Sequence, residues 1–134
     1  MLRKVSPDPE RARSLLHMAE TSLALIQTFD KVRFPSNLIK EYYEVARELA
    51  TILLLLDGVK ASGEGAHAQQ IQYLQQHYTD FTGGDIALFE ELRTIRNDIA
   101  YEGFVVQVEY VERKEGLILE LVGKLKRKVR EQVR

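Results

Sequence analysis

The chain has no cysteine, only three prolines in 134 residues, and no long apolar run. Without thiols, disulfides and thiolate metal sites are excluded, which fits a reducing compartment. The longest apolar stretch, Ile52 to Leu56, falls far short of the roughly 20 residues a membrane-spanning helix needs. The opening segment from Met1 to Pro7 lacks the apolar core of a secretory signal. These absences predict a cytoplasmic protein with no membrane association. What is present, 45% hydrophobic and 29% charged residues, is the composition of a globular chain, and 134 residues predict one domain over 1–134 with a real core.

The net charge of −1 argues against wholesale coating of nucleic acid, but the charge is unevenly placed. No Lys or Arg occurs between Ala61 and Leu92, whereas Lys124-Leu125-Lys126-Arg127-Lys128-Val129-Arg130 is strongly basic. That run is either a solvated helix end complementing the helix dipole or a surface for RNA or an acidic partner.

Helix signals dominate the pattern. Asp8-Pro9-Glu10 predicts a capped start for a first helix reaching about Phe29, with Leu15 or Leu16, Ala19, Leu23 and Ile26 inward. After a connector from Asp30 to Pro35, Ser36 is the expected cap of a second helix. Ile39, Tyr43, Ala46, Leu49, Ala50, Leu53 and Leu56 line it, and its second half is apolar all round, so it should be the most buried element. Ala61 to Gly65 should end that helix in a loop. A short helix near His67 to Tyr78 follows, anchored by Ile71 and Leu74.

Asp85 is the expected cap of a fourth helix, and Gly103 its left-handed stop. Val106, Val108 and Tyr110 alternate as a strand would, but a lone strand has no partner, so Phe104 to Val111 predicts an extended connector. The last helix places Val111, Ile118, Leu121 or Val122, Leu125 and Val129 on one side, with Gly116 and Gly123 as tolerated costs or close-packing points. Together these elements predict an all-α, up-and-down bundle of four main helices plus one short helix.

Catalytic motifs are sparse. His17, His67 and His77 are scattered singly, so no metal site is expected, and no cofactor motif is present. Gly63-Glu64-Gly65 and Gly83-Gly84 follow no predicted strand and read as loop punctuation. His67, at the start of the short helix, is the one histidine whose position invites attention.

The densest polar constellation closes the fourth helix. At about 100° per residue, Leu88, Leu92, Ile95 and Ile99 form an apolar stripe, and Arg93, Arg96, Asn97 and Tyr101 fall on an adjacent arc. Guanidinium groups, an amide and a phenol suit phosphate contacts or a polar subunit interface. Equally, Arg93 and Arg96 could be paired with Glu90, Glu91 or Asp98.

Three segments make the chain resemble the HEPN superfamily of small helical bundles. They are Arg96-Asn97-Asp98-Ile99-Ala100-Tyr101-Glu102-Gly103-Phe104, then Tyr42-Tyr43 opening an Ala- and Leu-rich helix that ends Leu55-Leu56-Asp57-Gly58-Val59-Lys60, and Gly65-Ala66-His67 before the short helix. The resemblance covers nearly the whole chain. It implies a homodimer with two motifs facing each other across a cleft. It also implies either metal-independent endoribonuclease activity or partnership with a small nucleotidyltransferase in a toxin–antitoxin pair.

The typical motif is an Arg followed four to six residues later by His, and here that place is Tyr101. The position where the modified tyrosine is expected is Gly103. A phenol with an unperturbed pKa of about 10 donates hydrogen bonds readily but shuttles protons poorly near neutrality. The expectation is therefore a nucleotide- or RNA-phosphate-binding module using Arg93, Arg96, Asn97 and Tyr101. The alternatives are an endoribonuclease with Arg96 and Tyr101 as catalytic pair, and a non-catalytic dimeric adaptor.

Overall fold

The computed structural model describes residues 1–133, so Arg134 of the expected domain lies outside the described residues. The described residues form five helices: α1 (Pro9–Ile26), α2 (Pro35–Leu56), α3 (Ala66–His77), α4 (Gly83–Glu102) and α5 (Val108–Val133). Two three-residue strands, β1 (Leu2–Lys4) and β2 (Val59–Ala61), complete the fold. The all-α, up-and-down bundle expected from the pattern is what forms. No helix among the described residues is long and apolar enough to cross a membrane.

The centre of the bundle is α2, which packs against α1, α3, α4 and α5. Its apolar second half explains why: Leu49, Ala50, Ile52, Leu53 and Leu54 are all essentially inaccessible, and no face is left polar enough for solvent. Burying the leucine and isoleucine side chains among these is worth roughly 1.5–3 kcal/mol each relative to exposure.

Local chemistry sets the ends. Asp8 caps α1 by accepting from the Arg11 amide at 3.1 Å, with Pro9 in the first turn. The helix stops at Ile26 and not near Phe29, because Asp30 Oδ1 accepts from the amides of Val32 and Arg33 and folds the connector into a turn. Leu16, not Leu15, is the buried member of the inner stripe. Ser36 does not cap α2. Phe34 holds the cap position without a side-chain bond, Pro35 opens the helix, and Ser36 Oγ instead accepts from the Val106 amide at 2.8 Å, tying the α4–α5 connector to the start of α2.

The segment after α2 is not only a loop. α2 ends at Leu56, and Val59–Ala61 pairs antiparallel with Leu2–Lys4, Arg3 opposite Lys60. The reversal requires Gly58 at φ +74°, where a Cβ would lie 2.9 Å from the Val5 carbonyl oxygen. Asp57, at the end of α2, accepts from both Tyr73 and Tyr78 hydroxyls at 2.9 and 2.7 Å, which fixes α3 against α2. Ile71 and Leu74 anchor α3 as expected.

Asp85 is not the cap of α4. Thr82 is, and the two residues exchange hydrogen bonds in a capping box of 2.9 and 3.1 Å. Gly103, at φ +66°, ends the helix, and the connector is shorter than the expected Phe104 to Val111, because α5 already begins at Val108. All the inward residues expected of α5 are buried, with Leu121 and Val122 both inside. A Cβ on Gly116 would meet nothing within 4 Å, and one on Gly123 only the tip of Arg127, so neither glycine marks close packing.

The basic end of α5 is largely spent inside the molecule. Lys124 bonds Asp85 at 2.6 Å, Lys126 and Arg130 pair with Glu20, and Lys128 pairs with Asp80 and Glu131. Such pairing orients the helix end against α1 and the start of α4.

Candidate functional site

The apolar stripe of α4 is rotated from the one the pattern suggested. Ile86, Phe89 and Leu92 are buried, while Leu88, Ile95 and Ile99 are half-buried. Phe89 packs edge-on against Tyr43 of α2, ring centres 6.0 Å apart. Arg93 and Arg96 follow Phe89 at i+4 and i+7, so they continue the buried stripe toward α2.

This rotation explains the site. Arg96 Nε sits 3.3 Å from Glu44 Oε1, and Arg47, one turn beyond Glu44 on α2, places Nε and Nη2 at 3.2 and 3.0 Å from Glu44 Oε2. Arg93 grips Glu90 through Nε and Nη2 at 3.0 and 2.9 Å. Three guanidinium groups thus gather at a half-buried junction with the carboxylates of Glu44 and Glu90, and Glu48 lies within electrostatic reach of Arg47. Arg96 Nη1 reaches Asn97 Oδ1 only at a long 3.4 Å.

The Glu44–Arg96 contact is close in distance but misaligned. Neither Glu44 Oε1 nor Arg96 Nε has an aligned hydrogen-bond partner, although both atoms are buried. The Tyr43 hydroxyl beside them is buried and unpartnered too. Burial first, then the Glu44 charge, pushes the Tyr43 phenol up to about 12 against the opposing pull of Arg47, Arg93 and Arg96. It stays a neutral donor throughout the physiological range.

Tyr101 lies apart from this group. It is 75% exposed on the last turn of α4, beside the exposed apolar side chains of Phe104 and Val105. Arg93, Arg96 and Asn97 are therefore brought together, whereas Tyr101 stands in solvent.

A histidine enters from elsewhere in the chain. His67, in the first turn of α3, tilts against the Tyr43 ring at 6.1 Å. Its pKa is lowered, chiefly by burial and then by the Arg47 charge, with Glu44 opposing and Arg96 and Arg93 adding to the depression. Reading α4 alone misses it, because it arrives by tertiary packing; its one signal was its place directly after Gly65-Ala66. Among the described residues, no group of three or more His, Asp or Glu side chains is placed to hold a metal ion.

No family model, no curated protein and no solved structure matches this chain.

Proposed function

We propose that the chain is a HEPN-like, homodimeric module that binds a nucleotide or RNA phosphate through Arg93, Arg96, Asn97 and Tyr101, as the partner of a small nucleotidyltransferase in a two-component system. The observation that carries the binding half is the gathering of Arg47, Arg93 and Arg96 around an Arg96–Glu44 contact that forms no aligned hydrogen bond. A phosphate can displace Glu44 or Glu90 and take their guanidinium partners in bidentate fashion. Tyr101, Phe104 and Val105 present exposed apolar surface beside the arc, which a second copy would cover. The nucleotidyltransferase partner follows from the family resemblance.

The test is titration of a nucleotide panel and short RNAs into wild type and Arg96→Ala, with light scattering in parallel. Binding by wild type that is lost in a folded Arg96→Ala supports the reading. Absence of binding in both, or a monomer at all concentrations, rejects it.

A metal-independent endoribonuclease is the second reading, favoured by one observation: His67, packed on the Tyr43 ring and with its pKa lowered, sits in the field of three arginines. There Arg96 would steady the phosphate while His67 takes the 2′-hydroxyl proton, the 2′-oxygen bonds to phosphorus as the P–O5′ bond breaks, and water protonates the departing 5′-oxygen. It predicts cleavage of single-stranded RNA in EDTA to cyclic-phosphate ends, lost in His67→Ala. If cleavage instead persists in His67→Ala and disappears in Tyr101→Phe, the proton-transfer role belongs to the α4 pair Arg96 and Tyr101.

A further inference from the structure

A second cationic feature lies on the far side of Arg47. The start of α1, the second half of α2, β2 and the N-terminus of α3 enclose a cleft of about 190 Å³, whose polar walls are Arg11, Arg47, Thr51, Lys60, His67 and Gln70. No Asp or Glu lines it. Arg11 and Lys60 form no side-chain ion pair among the described residues, and Arg47 gives Nε and Nη2 to Glu44 but leaves Nη1 free of hydrogen bonds.

The strand missed in the sequence changes the meaning of Gly63-Glu64-Gly65. These residues join β2 to α3, with Gly63 at φ +81° and Gly65 at φ +78° as the α3 cap position. No side chain caps α3. The Ala66 amide turns back to Gly63 and the Gln69 amide to Gly65, so the His67 and Ala68 amides are left for another acceptor. A helix start of this kind favours an anion through its free amides and its dipole.

A buried amide at the cleft supplies an independent indication. Gln70 is 7% exposed, its Nε2 donates to Thr51 Oγ1 at 2.7 Å, and its Oε1 has no partner. The orientation is set by its neighbour: Thr51 commits its own proton to the Arg47 carbonyl at 3.0 Å, so the hydroxyl can only accept from Gln70. A buried acceptor without a donor is costly, and a ligand hydroxyl would satisfy it. The cleft therefore asks for an anion and a hydroxyl on one ligand.

We propose that this cleft binds a ribose phosphomonoester, carried by a free nucleoside monophosphate or by the phosphorylated end of an RNA strand. The phosphate takes the His67 and Ala68 amides together with Arg11, Lys60 and the free Arg47 nitrogen, and a ribose hydroxyl donates to Gln70 Oε1. The site shares Arg47 with the Glu44 junction but otherwise uses residues outside the α4 arc, and the Arg96→Ala variant tells the two apart.

The test titrates the full isotope-labelled chain with inorganic phosphate, adenosine 5′-monophosphate, adenosine, and short RNAs with and without a 5′-phosphate, following the His67 and Ala68 amide signals. Phosphate and the monophosphate should move both signals, and adenosine should not. Lys60→Glu, an exposed change, should weaken both ligands by about tenfold or more. Gln70→Leu should weaken the monophosphate but not inorganic phosphate, because it removes the hydroxyl acceptor and the bond to Thr51 but no ligand of the phosphate. Arg96→Ala should leave the cleft signals responsive, which separates this site from the α4 arc. Tighter binding of the 5′-phosphorylated RNA than of the mononucleotide assigns the strand end; the reverse assigns the free nucleotide. Silent His67 and Ala68 amides at saturating phosphate and monophosphate, or binding that Lys60→Glu and Arg11→Glu leave unchanged, overturns the proposal.

Discussion

Arg96 and Glu44 face each other across the α2–α4 interface at 3.3 Å, yet the contact is not an aligned hydrogen bond. Glu44 is better held by Arg47 on its own helix. The carboxylate thus occupies the place between two guanidinium groups that an incoming phosphate oxygen would take. In the proposed phosphate-binding role it would be an internal competitor for the anion.

Glu44→Gln should therefore have opposite effects on stability and on binding. Leaving Arg47 and Arg96 without their shared counter-charge should destabilise the fold by about 1–3 kcal/mol, the range for a half-buried ion pair losing one member. Phosphate affinity should rise several-fold, because the competing carboxylate is gone. Urea unfolding and a phosphate titration on the same variant check the pair. A stable variant with unchanged affinity would show that Glu44 carries neither role.

His67 should titrate below the usual imidazole range of about 6.5, and its neighbours set the direction of each perturbation. Burial is the main cause, and Arg47 the next. Arg47→Met should raise the His67 pKa and Glu44→Gln should lower it further, as read from imidazole proton shifts against pH. Because the folded value lies below the unfolded one, the neutral ring's contribution to stability is present above the unfolded pKa. It is lost as pH falls through the folded value, so His67→Gln should flatten the acid side of the stability profile in that window.

Much of this bundle was legible in the sequence, and the parts that were not have physical causes. Asp8-Pro9 and Gly103 act through chemistry that is local in the chain, so the start of α1 and the end of α4 follow from a few adjacent residues. The β1–β2 pair does not, because Leu2–Lys4 and Val59–Ala61 are too short to show a period and find each other only across the folded chain. The same holds for the site. Arg93, Arg96 and Asn97 were visible as an arc on α4, whereas Glu44, Arg47 and His67 join them only after α2 and α3 pack. The α4 rotation was hidden for a related reason: Leu88 and Phe89 are equally apolar, and only Tyr43 on α2 decides that Phe89 goes inward.

Thr82 and Asp85 offer a test of the α4 start. Thr82→Ala removes one half of the capping box and should cost about 1 kcal/mol in chemical denaturation. Asp85 is subject first to burial, which raises its pKa, but the Lys124 hydrogen bond, the Thr82 backbone and side-chain bonds and the Lys124 charge outweigh it and hold the carboxyl below its ordinary value. Its contribution is therefore present above the unfolded carboxylate pKa and lost as pH falls through the folded one. Lys124→Met should shrink that acid-side loss, and an unaltered acid limb would remove Lys124 from the account.

Gly58→Ala should release the N-terminal strand. The new Cβ would lie 2.9 Å from the Val5 carbonyl oxygen at φ +74°, and the combined strain should cost about 1–3 kcal/mol. Amide exchange should rise first at Leu2–Lys4 and Val59–Ala61, with the α2–α5 core still protected. Equal protection in both proteins would show that the turn tolerates a side chain.

The adjacent tyrosines of α2 make the sharpest contrast, since both rings are fully buried and only their hydroxyls differ. Tyr42 donates to Glu115 Oε2 at 2.8 Å, a carboxylate that also binds Lys31 at 2.8 Å, so Tyr42→Phe breaks a network joining α2, α5 and the α1–α2 connector. That change should destabilise the protein by about 1–2 kcal/mol. Tyr43 has no partner for its hydroxyl, so Tyr43→Phe should be neutral or slightly stabilising, because it removes an unsatisfied buried group and keeps the ring packed on Phe89. Phosphate titration separates the two possible uses of that idle hydroxyl. If Tyr43→Phe weakens anion binding while raising the melting temperature, the hydroxyl is held unpaired for a ligand. If stability rises and binding is untouched, it is a structural remnant of the ring that fills the space between α2, α3 and α4.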